Sequence, residues 1–194
     1  VVSYNAAISA CEKSQQPDRA LELLIAMRQQ GLVPDVITYN AAIVALEKGS
    51  QPERALDIFL GMQQQGLTPD AFTYNAAISA CSKSFQQEKA LQLFGCMQQQ
   101  KLIPNIIAYS VAISACSKRQ EPERALQLLQ EMQQLGLTSN AITHSAVVNS
   151  CERVQHWVRA LTVLVGMIGH DLEPNSFSVN ALISACEKVG HWEQ

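Results

Sequence analysis

The side chains in this sequence that could do chemistry are small, polar and regularly spaced. One set recurs every 35 residues and contains asparagine or serine: Asn5, Asn40, Asn75, Ser110, Ser145 and Asn180. A second set has the same spacing and contains aspartate or asparagine: Asp35, Asp70, Asn105, Asn140 and Asn175. Amide, hydroxyl and carboxylate groups form hydrogen bonds, so both sets could recognise a polar ligand. The alternative is a local role, because the same residue types favour helix caps and turns.

Two further sets follow the same spacing, one apolar and one basic. The apolar set is Val2, Ile37, Phe72, Ile107, Ile142 and Phe177. The basic set contains six of the 14 lysine and arginine residues: Lys13, Lys48, Lys83, Lys118, Arg153 and Lys188. An ordinary buried core is one interpretation of the apolar set. For the basic set, the corresponding interpretation is a position near helix C-termini, where the helix dipole is negative.

The 35-residue spacing divides the chain into repeats that must position these side chains. Five full repeats cover residues 1–35, 36–70, 71–105, 106–140 and 141–175, and a partial sixth covers 176–194. Repeats of this length are typical of solenoids, in which stacked neighbours bury the apolar face that one unit cannot cover alone. We therefore predict an all-α fold, a single array over residues 1–194 that forms an α-solenoid of stacked helix-turn-helix hairpins.

Each repeat is predicted to contain two helices. In the first repeat, Tyr4, Ile8 and Cys11 follow the i, i+4, i+7 spacing of one apolar helix face. Pro17 fits the first turn of a second helix, since the N–H that proline lacks has no partner there. Met27 lies on the apolar face of that helix and recurs every 35 residues.

The ends of these helices carry further signals. Ser3, Thr38, Thr73 and Thr143 could cap the first helices. Gly31 fits the left-handed residue that follows a helix, and its replacement by Lys101 or Asp171 in later repeats should cost about 1 kcal/mol each. Equivalent positions of successive repeats form columns. Small residues in the column of Ala20, and in the column that contains Gly61 and Gly166, are expected to allow helices to approach closely.

Composition argues against several classes of protein. Cys11, Cys81, Cys116, Cys151 and Cys186 share one column, which Leu46 completes, so they are predicted to be reduced core residues. Cys96 lies outside this column, and neither zinc-ligand spacing nor a nucleophile–base pair is present. We expect no catalysis, no metal and no cofactor.

The bulk properties of the chain are unremarkable for a globular protein. Its net charge is −3 and its pI about 5.8, which argues against a partner held by bulk electrostatics. The longest apolar stretch, around residues 161–169, is too short to span a bilayer, so no membrane partner is expected. The chain does not begin with methionine, and we interpret it as a soluble piece of a longer protein.

The sequence VVSYNAAISACEK, followed by PDRALELLIAMRQQGLVPD, resembles the pentatricopeptide repeat, and the resemblance covers the entire chain. The shared marks are V-S/T-Y-N, Cys-x-Lys, Ala-Leu-x-Leu, Met and Gly-Leu-x-Pro-Asp. The tetratricopeptide repeat, with a period of about 34 residues and a different first helix, fits less well. Single repeats depart from the pattern at Leu46, Ser139, His144 and Val179. The resemblance implies a right-handed superhelix, one layer of which lines the concave side.

The resemblance also implies a function. Pentatricopeptide repeats bind single-stranded RNA, one base per repeat, which assigns base reading to the two polar sets, base sandwiching to the apolar set and phosphate contacts to the basic set. The family's code gives 5′-U-U-(C or U)-A-A-3′. The implied role is guiding RNA processing, stability, editing or translation in a chloroplast or mitochondrion, with any catalytic domain or protein partner engaged outside this chain. The alternative is a protein-binding scaffold, which the acidic pI and glutamine-rich helices favour slightly, whereas the two polar sets favour RNA.

Overall fold

A computed structural model describes residues 1–84, 86–153, 156–169, 172 and 176–189, and these residues form helices and connecting loops without strands. In chain order, the helices are α1 (Val2–Lys13), α2 (Pro17–Gln29), α3 (Val36–Lys48), α4 (Pro52–Gln64), α5 (Ala71–Lys83), α6 (Gln87–Gln99), α7 (Ile106–Lys118), α8 (Pro122–Gln134), α9 (Ala141–Arg153), α10 (Trp157–Gly169) and α11 (Ser176–Val189). The all-α prediction is confirmed. None of the described helices combines the length and apolarity needed to cross a membrane.

The chain forms two compact units, residues 1–104 and 105–194. In the first unit, α1 packs against α3 and α3 against α5, so the first helices of the hairpins form one layer. The second helices α2 and α4 each contact the first helix of their own hairpin and that of the next. The second unit repeats this arrangement, with α7, α9 and α11 as the first-helix layer. Stacking of hairpins is therefore observed within each unit.

The predicted core columns are buried. Two columns lie on the second helices and are inaccessible to solvent: Ala20, Ala55, Ala90, Ala125, Ala160, Met27, Met62, Met97, Met132 and Met167. On the first helices, Cys11, Cys81, Cys116 and Cys151 are buried, and Leu46 takes their place in the second repeat. The side chain of Cys186 lies outside the described residues. The described cysteines are free thiols, as predicted, and Cys96 is exposed. Burial raises the pKa of Cys81, Cys116 and Cys151 to about 11, so these thiols stay protonated and unreactive at neutral pH.

The turns after the second helices have the backbone conformation that the glycines indicate. The φ angles of Gly31, Gly66 and Gly136 are 71°, 74° and 69°. Lys101 has a φ of 57° in the same position, so the positive φ on which the predicted cost depends is present there. Asp171 lies outside the described residues. The sequence did not reveal that Gln15, Ser50 and Gln120, in the turns inside the first, second and fourth hairpins, also have positive φ.

Replacing Lys101 with glycine should increase the free energy of unfolding by about 0.5–1 kcal/mol, because glycine adopts this conformation without a Cβ clash. Urea denaturation followed by circular dichroism would measure the change. Gln100→Gly is the matched control: Gln100 has a φ of −81°, so glycine there should only lower stability. Equal or reduced stability of Lys101→Gly would contradict the strain argument.

Close approach of two chain segments occurs at a glycine other than those expected. A Cβ on Gly61 or Gly166 would meet no atom within 4 Å, so the prediction that these residues allow close helix packing is wrong. Their column also contains the exposed Cys96. At Gly49, in contrast, a Cβ would lie 2.4 Å from Cγ of Pro17, so the end of α3 lies against the start of α2.

Candidate functional site

The last residue of each of the first two repeats is a helix N-cap. Oδ1 of Asp35 accepts a hydrogen bond of 2.8 Å from the backbone N–H of Thr38, and Oδ1 of Asp70 accepts one of 2.8 Å from Thr73. The capping interpretation of this set is therefore correct. The suggestion that Thr38 and Thr73 are themselves the caps is wrong, because both lie three residues further on and complete a capping box.

Asparagine performs the same capping in the second unit. Oδ1 of Asn105 accepts from the N–H of Ala108 at 2.9 Å, and Oδ1 of Asn140 accepts from the N–H of Thr143 at 2.9 Å. Capping uses the amide oxygen, so the Nδ2 group of such an asparagine points away from the helix end as a donor. In a capping aspartate, the group that points away from the helix end is instead a second carboxylate oxygen, which can only accept a hydrogen bond.

The structure brings the two polar sets together in the first unit, because α1 lies beside α3 and α3 beside α5. Nδ2 of Asn5 donates to the two carboxylate oxygens of Asp35 at 3.2 and 3.3 Å. Nδ2 of Asn40 donates to those of Asp70 at 3.4 and 3.3 Å. The partners of each pair are 30 residues apart in one repeat, and the spacing alone did not indicate that they are in direct contact.

These aspartates are ionised at neutral pH. Partial burial acts to raise the pKa of Asp35 and Asp70, but hydrogen bonds from the threonine N–H, the threonine hydroxyl and the asparagine amide outweigh it. The pKa of each carboxyl is therefore held below its ordinary value of 3.8. Each pair consequently combines a permanent negative charge with an oriented amide.

The serines of the first polar set differ from the asparagines in their contacts. Oγ of Ser110 donates to the carbonyl of Ile106 at 2.8 Å and lies 3.2 Å from Oγ1 of Thr143. Ser145 is mostly buried, whereas Asn180 is exposed on α11. Asn75 is half-buried, and Asn175 lies outside the described residues.

The apolar set is exposed, so its interpretation as ordinary core is wrong. The exposed fractions are 64% for Ile37, 57% for Phe72, 53% for Ile107, 70% for Ile142 and 84% for Val2. Each lies in the first turn of a first helix, near the polar pairs, and points to solvent. The side chain of Phe177 lies outside the described set. Exposed apolar side chains in one repeated position favour a contact surface.

The basic set occupies the last residue of the first helices, as the dipole interpretation predicts for Lys13, Lys48, Lys83 and Lys118. Two of these lysines also form ion pairs that the sequence analysis missed. Nζ of Lys48 lies 2.8 Å from Oε1 of Glu12, and Nζ of Lys83 lies 2.8 Å from Oε1 of Glu47. The side chains of Arg153 and Lys188 lie outside the described residues.

A cavity of about 300 Å³ between α7 and α9 is lined by one side chain from each of three of the four repeated sets. Its walls contain Ser114, Ser117, Lys118, Ile142, Ser145, Ala146 and Asn149. Lys118, Ile142 and Ser145 are the basic, apolar and polar members. The position of Ser114 and Asn149 was not predicted, although small polar residues recur there, and Ser79 in that position donates to Glu47 at 2.8 Å. Among the described residues, no cluster of three or more histidine, cysteine or acidic side chains could hold a metal ion.

Comparison with known proteins identifies the repeat. A sequence model of the PPR repeat family matches residues 1–48, 34–83, 69–118 and 104–153. No curated protein matches the sequence at a significant level.

Solved structures share the fold. The maize pentatricopeptide repeat protein PPR10 superposes with a TM-score of 0.71 at 20% identity, over 98% of this chain and 27% of PPR10. PPR10 in complex with an 18-nt psaJ RNA element gives 0.64 at 21%, over 99% and 28% of the two chains. The PPR domain of Arabidopsis thaliana PRORP1 in complex with tRNA gives 0.75 at 15%, over 96% and 94%. The α-solenoid fold is thus confirmed, and the chain spans about a quarter of PPR10.

Proposed function

We propose that this chain, which belongs to the PPR repeat family, is a non-catalytic module that binds single-stranded RNA in a sequence-specific manner. The observation that carries the proposal is the cavity between α7 and α9, where a cation, an exposed apolar side chain and a hydroxyl meet. A nucleotide offers a complementary phosphate, ring face and polar base edge. The fold that this chain shares with PPR10, which has been crystallised with RNA, supports the same function.

The capping geometry explains how a pair could choose a base. Uracil presents an N3–H donor between two carbonyl oxygens, whereas cytosine presents a lone pair at N3. The ionised Asp35 accepts only, so it favours N3–H and repels that lone pair, while the remaining N–H of Asn5 can donate to a uracil oxygen. A capping asparagine offers Nδ2 instead, which suits the N3 of cytosine or the N1 of adenine.

By register, the pairs Asn5 with Asp35 and Asn40 with Asp70 then read uracil. The third pair is Asn75 with Asn105 and reads cytosine or uracil. Two serine–asparagine pairs read adenine: Ser110 with Asn140 and Ser145 with Asn175. Binding parallel to the chain gives 5′-U-U-(C or U)-A-A-3′. A sequence of only five bases occurs in many transcripts. On the family resemblance, we assign the target RNA to a chloroplast or mitochondrion, where binding would guide processing, stability, editing or translation.

Fluorescence anisotropy with this five-base core inside a neutral flanking RNA tests the proposal. The core should bind more tightly than a scrambled core of the same composition, and the RNA should remain uncleaved. Equal affinity for the two cores would overturn base reading. If the chain binds neither RNA but binds a peptide, it is instead a protein-binding scaffold.

Replacing Glu47 with glutamine should tighten RNA binding about two- to fivefold at low salt, because Lys83 then loses the carboxylate that neutralises it. The affinity should also fall more steeply with salt concentration, since one more cation becomes available to phosphate. The matched control is Glu123→Gln, which removes the same charge from an ion pair with Arg159 between second helices. Equal gains in the two variants would indicate a net-charge effect and contradict phosphate contact by Lys83.

A further inference from the structure

A buried hydroxyl links neighbouring repeats at each described reading pair of the first unit. Thr73, which is inaccessible to solvent, has its Oγ1 2.6 Å from Oδ1 of Asn40 in the preceding repeat. The same oxygen lies 2.9 Å from Oδ1 of Asp70 and accepts the backbone N–H of Asp70 at 3.2 Å. Thr38 repeats the arrangement, with its Oγ1 2.5 Å from Oδ1 of Asn5.

The second unit uses the same position with different partners. Oγ1 of Thr143 lies 2.8 Å from Oδ1 of the capping Asn140 and 3.2 Å from Oγ of Ser110 in the preceding repeat. Where the third residue of a repeat is threonine, as at Thr38, Thr73 and Thr143, it therefore contacts both the cap before it and the reading side chain of the previous first helix. This contact with the previous helix is not part of a capping box, which involves only the cap and the residue three positions later.

The geometry fixes which end of the asparagine amide faces which group. The carboxylate of Asp70 only accepts, so it selects the orientation with Nδ2 of Asn40 towards it. The Thr73 hydroxyl has a single proton and two acceptors within reach, and Oδ1 of Asn40 at 2.6 Å is closer than Oδ1 of Asp70 at 2.9 Å. A flipped amide would bring Oδ1 against the carboxylate and would lose the threonine donor. The free edge of Asn40 thus keeps one N–H and one lone pair in fixed places.

We infer that Thr38 and Thr73 are positioning residues that set base discrimination by Asn5 and Asn40, the readers of the preceding repeats. The inference rests on the proposed RNA-binding function and extends it to a residue that contacts no base. It assigns to the first and second bases a third determinant, located one repeat downstream. Without the hydroxyl, the asparagine loses one of the two contacts that fix its orientation, and its discrimination between uracil and cytosine weakens.

Thr73→Val tests the inference, because valine keeps the shape of threonine and removes the hydroxyl. Affinities are measured for RNAs that carry uracil or cytosine at the second base, and separately at the first. The uracil preference at the second base should fall about fivefold, the equivalent of one hydrogen bond of about 1 kcal/mol. The preference at the first base should not change. Thr73→Ser should retain the preference, and Thr38→Val should move the loss to the first base.

The control Thr162→Val removes a hydroxyl from α10, where it donates to the carbonyl of Val158, and should leave both preferences intact. A native chain without a uracil preference at the second base would overturn the proposed base reading itself. A native chain with that preference, combined with an unchanged preference in Thr73→Val, would overturn only the positioning role. Equal loss for uracil and cytosine would do the same, since it indicates a structural effect. If Thr73→Val fails to fold, Thr38→Val decides by the same criteria.

Discussion

Replacing Phe72 with alanine should weaken binding of the five-base RNA about 5- to 150-fold, which corresponds to about 1–3 kcal/mol for one base stacked on an aromatic ring. Phe72 lies in the first turn of α5, directly after the capping Asp70, and 57% of it is exposed. We expect its ring to stack on the second base, the one assigned to Asn40 and Asp70. Anisotropy titrations at fixed salt would measure the loss.

Folding should survive this change, because an exposed side chain contributes little to the core and such substitutions usually alter stability by about 0.5 kcal/mol or less. Leu60→Ala is the matched control: Leu60 is 52% exposed, but it lies on α4 in the second-helix layer. Similar affinity in the two variants would refute stacking on Phe72. Ile37→Asp extends the test, and helicity without RNA binding would support a contact role for the apolar set.

Most of the fold follows from the sequence because a solenoid repeats one local solution. Met27 and Ala20 recur without a slip of register, and periodicity alone identified the faces on which they are buried. The turns were harder to predict. Gln15 and Ser50 have positive φ although neither is a glycine, the residue that usually indicates this conformation. The short turn between two packed helices imposes the left-handed conformation there.

The candidate site was predictable in its residue types and, through the family's code, in which two residues read one base, but not in the direct hydrogen bonds between them. The spacing identified the columns of Asn5 and Asp35. Their contact, however, depends on the packing of α1 beside α3, which a local sequence pattern does not predict. The exposure of Phe72 was left open for the same reason, because an apolar residue in a helix fits a core or a contact surface equally well. Glu47 was missed because its ion pair with Lys83 joins two neighbouring repeats, a tertiary contact that the spacing does not show.

Exchanging the second reading pair for the fourth should change the preferred base. We expect the double variant Asn40→Ser with Asp70→Asn to convert the second preference from uracil to adenine. Asparagine caps a first helix as aspartate does, since Asn140 accepts the N–H of Thr143 at 2.9 Å, so α5 should keep its N-cap. The change removes the carboxylate that repels the N1 lone pair of adenine and supplies an amide donor in its place. Two or three altered hydrogen bonds of about 1 kcal/mol each give a reversal of about 30- to 150-fold in the uracil-to-adenine affinity ratio.

The single variant and the reciprocal exchange make this result specific. Asp70→Asn alone should replace the preference for uracil by a preference for either pyrimidine, because Asn40 keeps its amide. Ser110→Asn with Asn140→Asp should convert the fourth preference from adenine to uracil, and its charge change is opposite to that of the first exchange. A general electrostatic effect would therefore move the two double variants in opposite directions on every RNA. Local reading predicts instead that each variant binds its own matched RNA with nearly native affinity, and weak binding of both variants to all RNAs would contradict it.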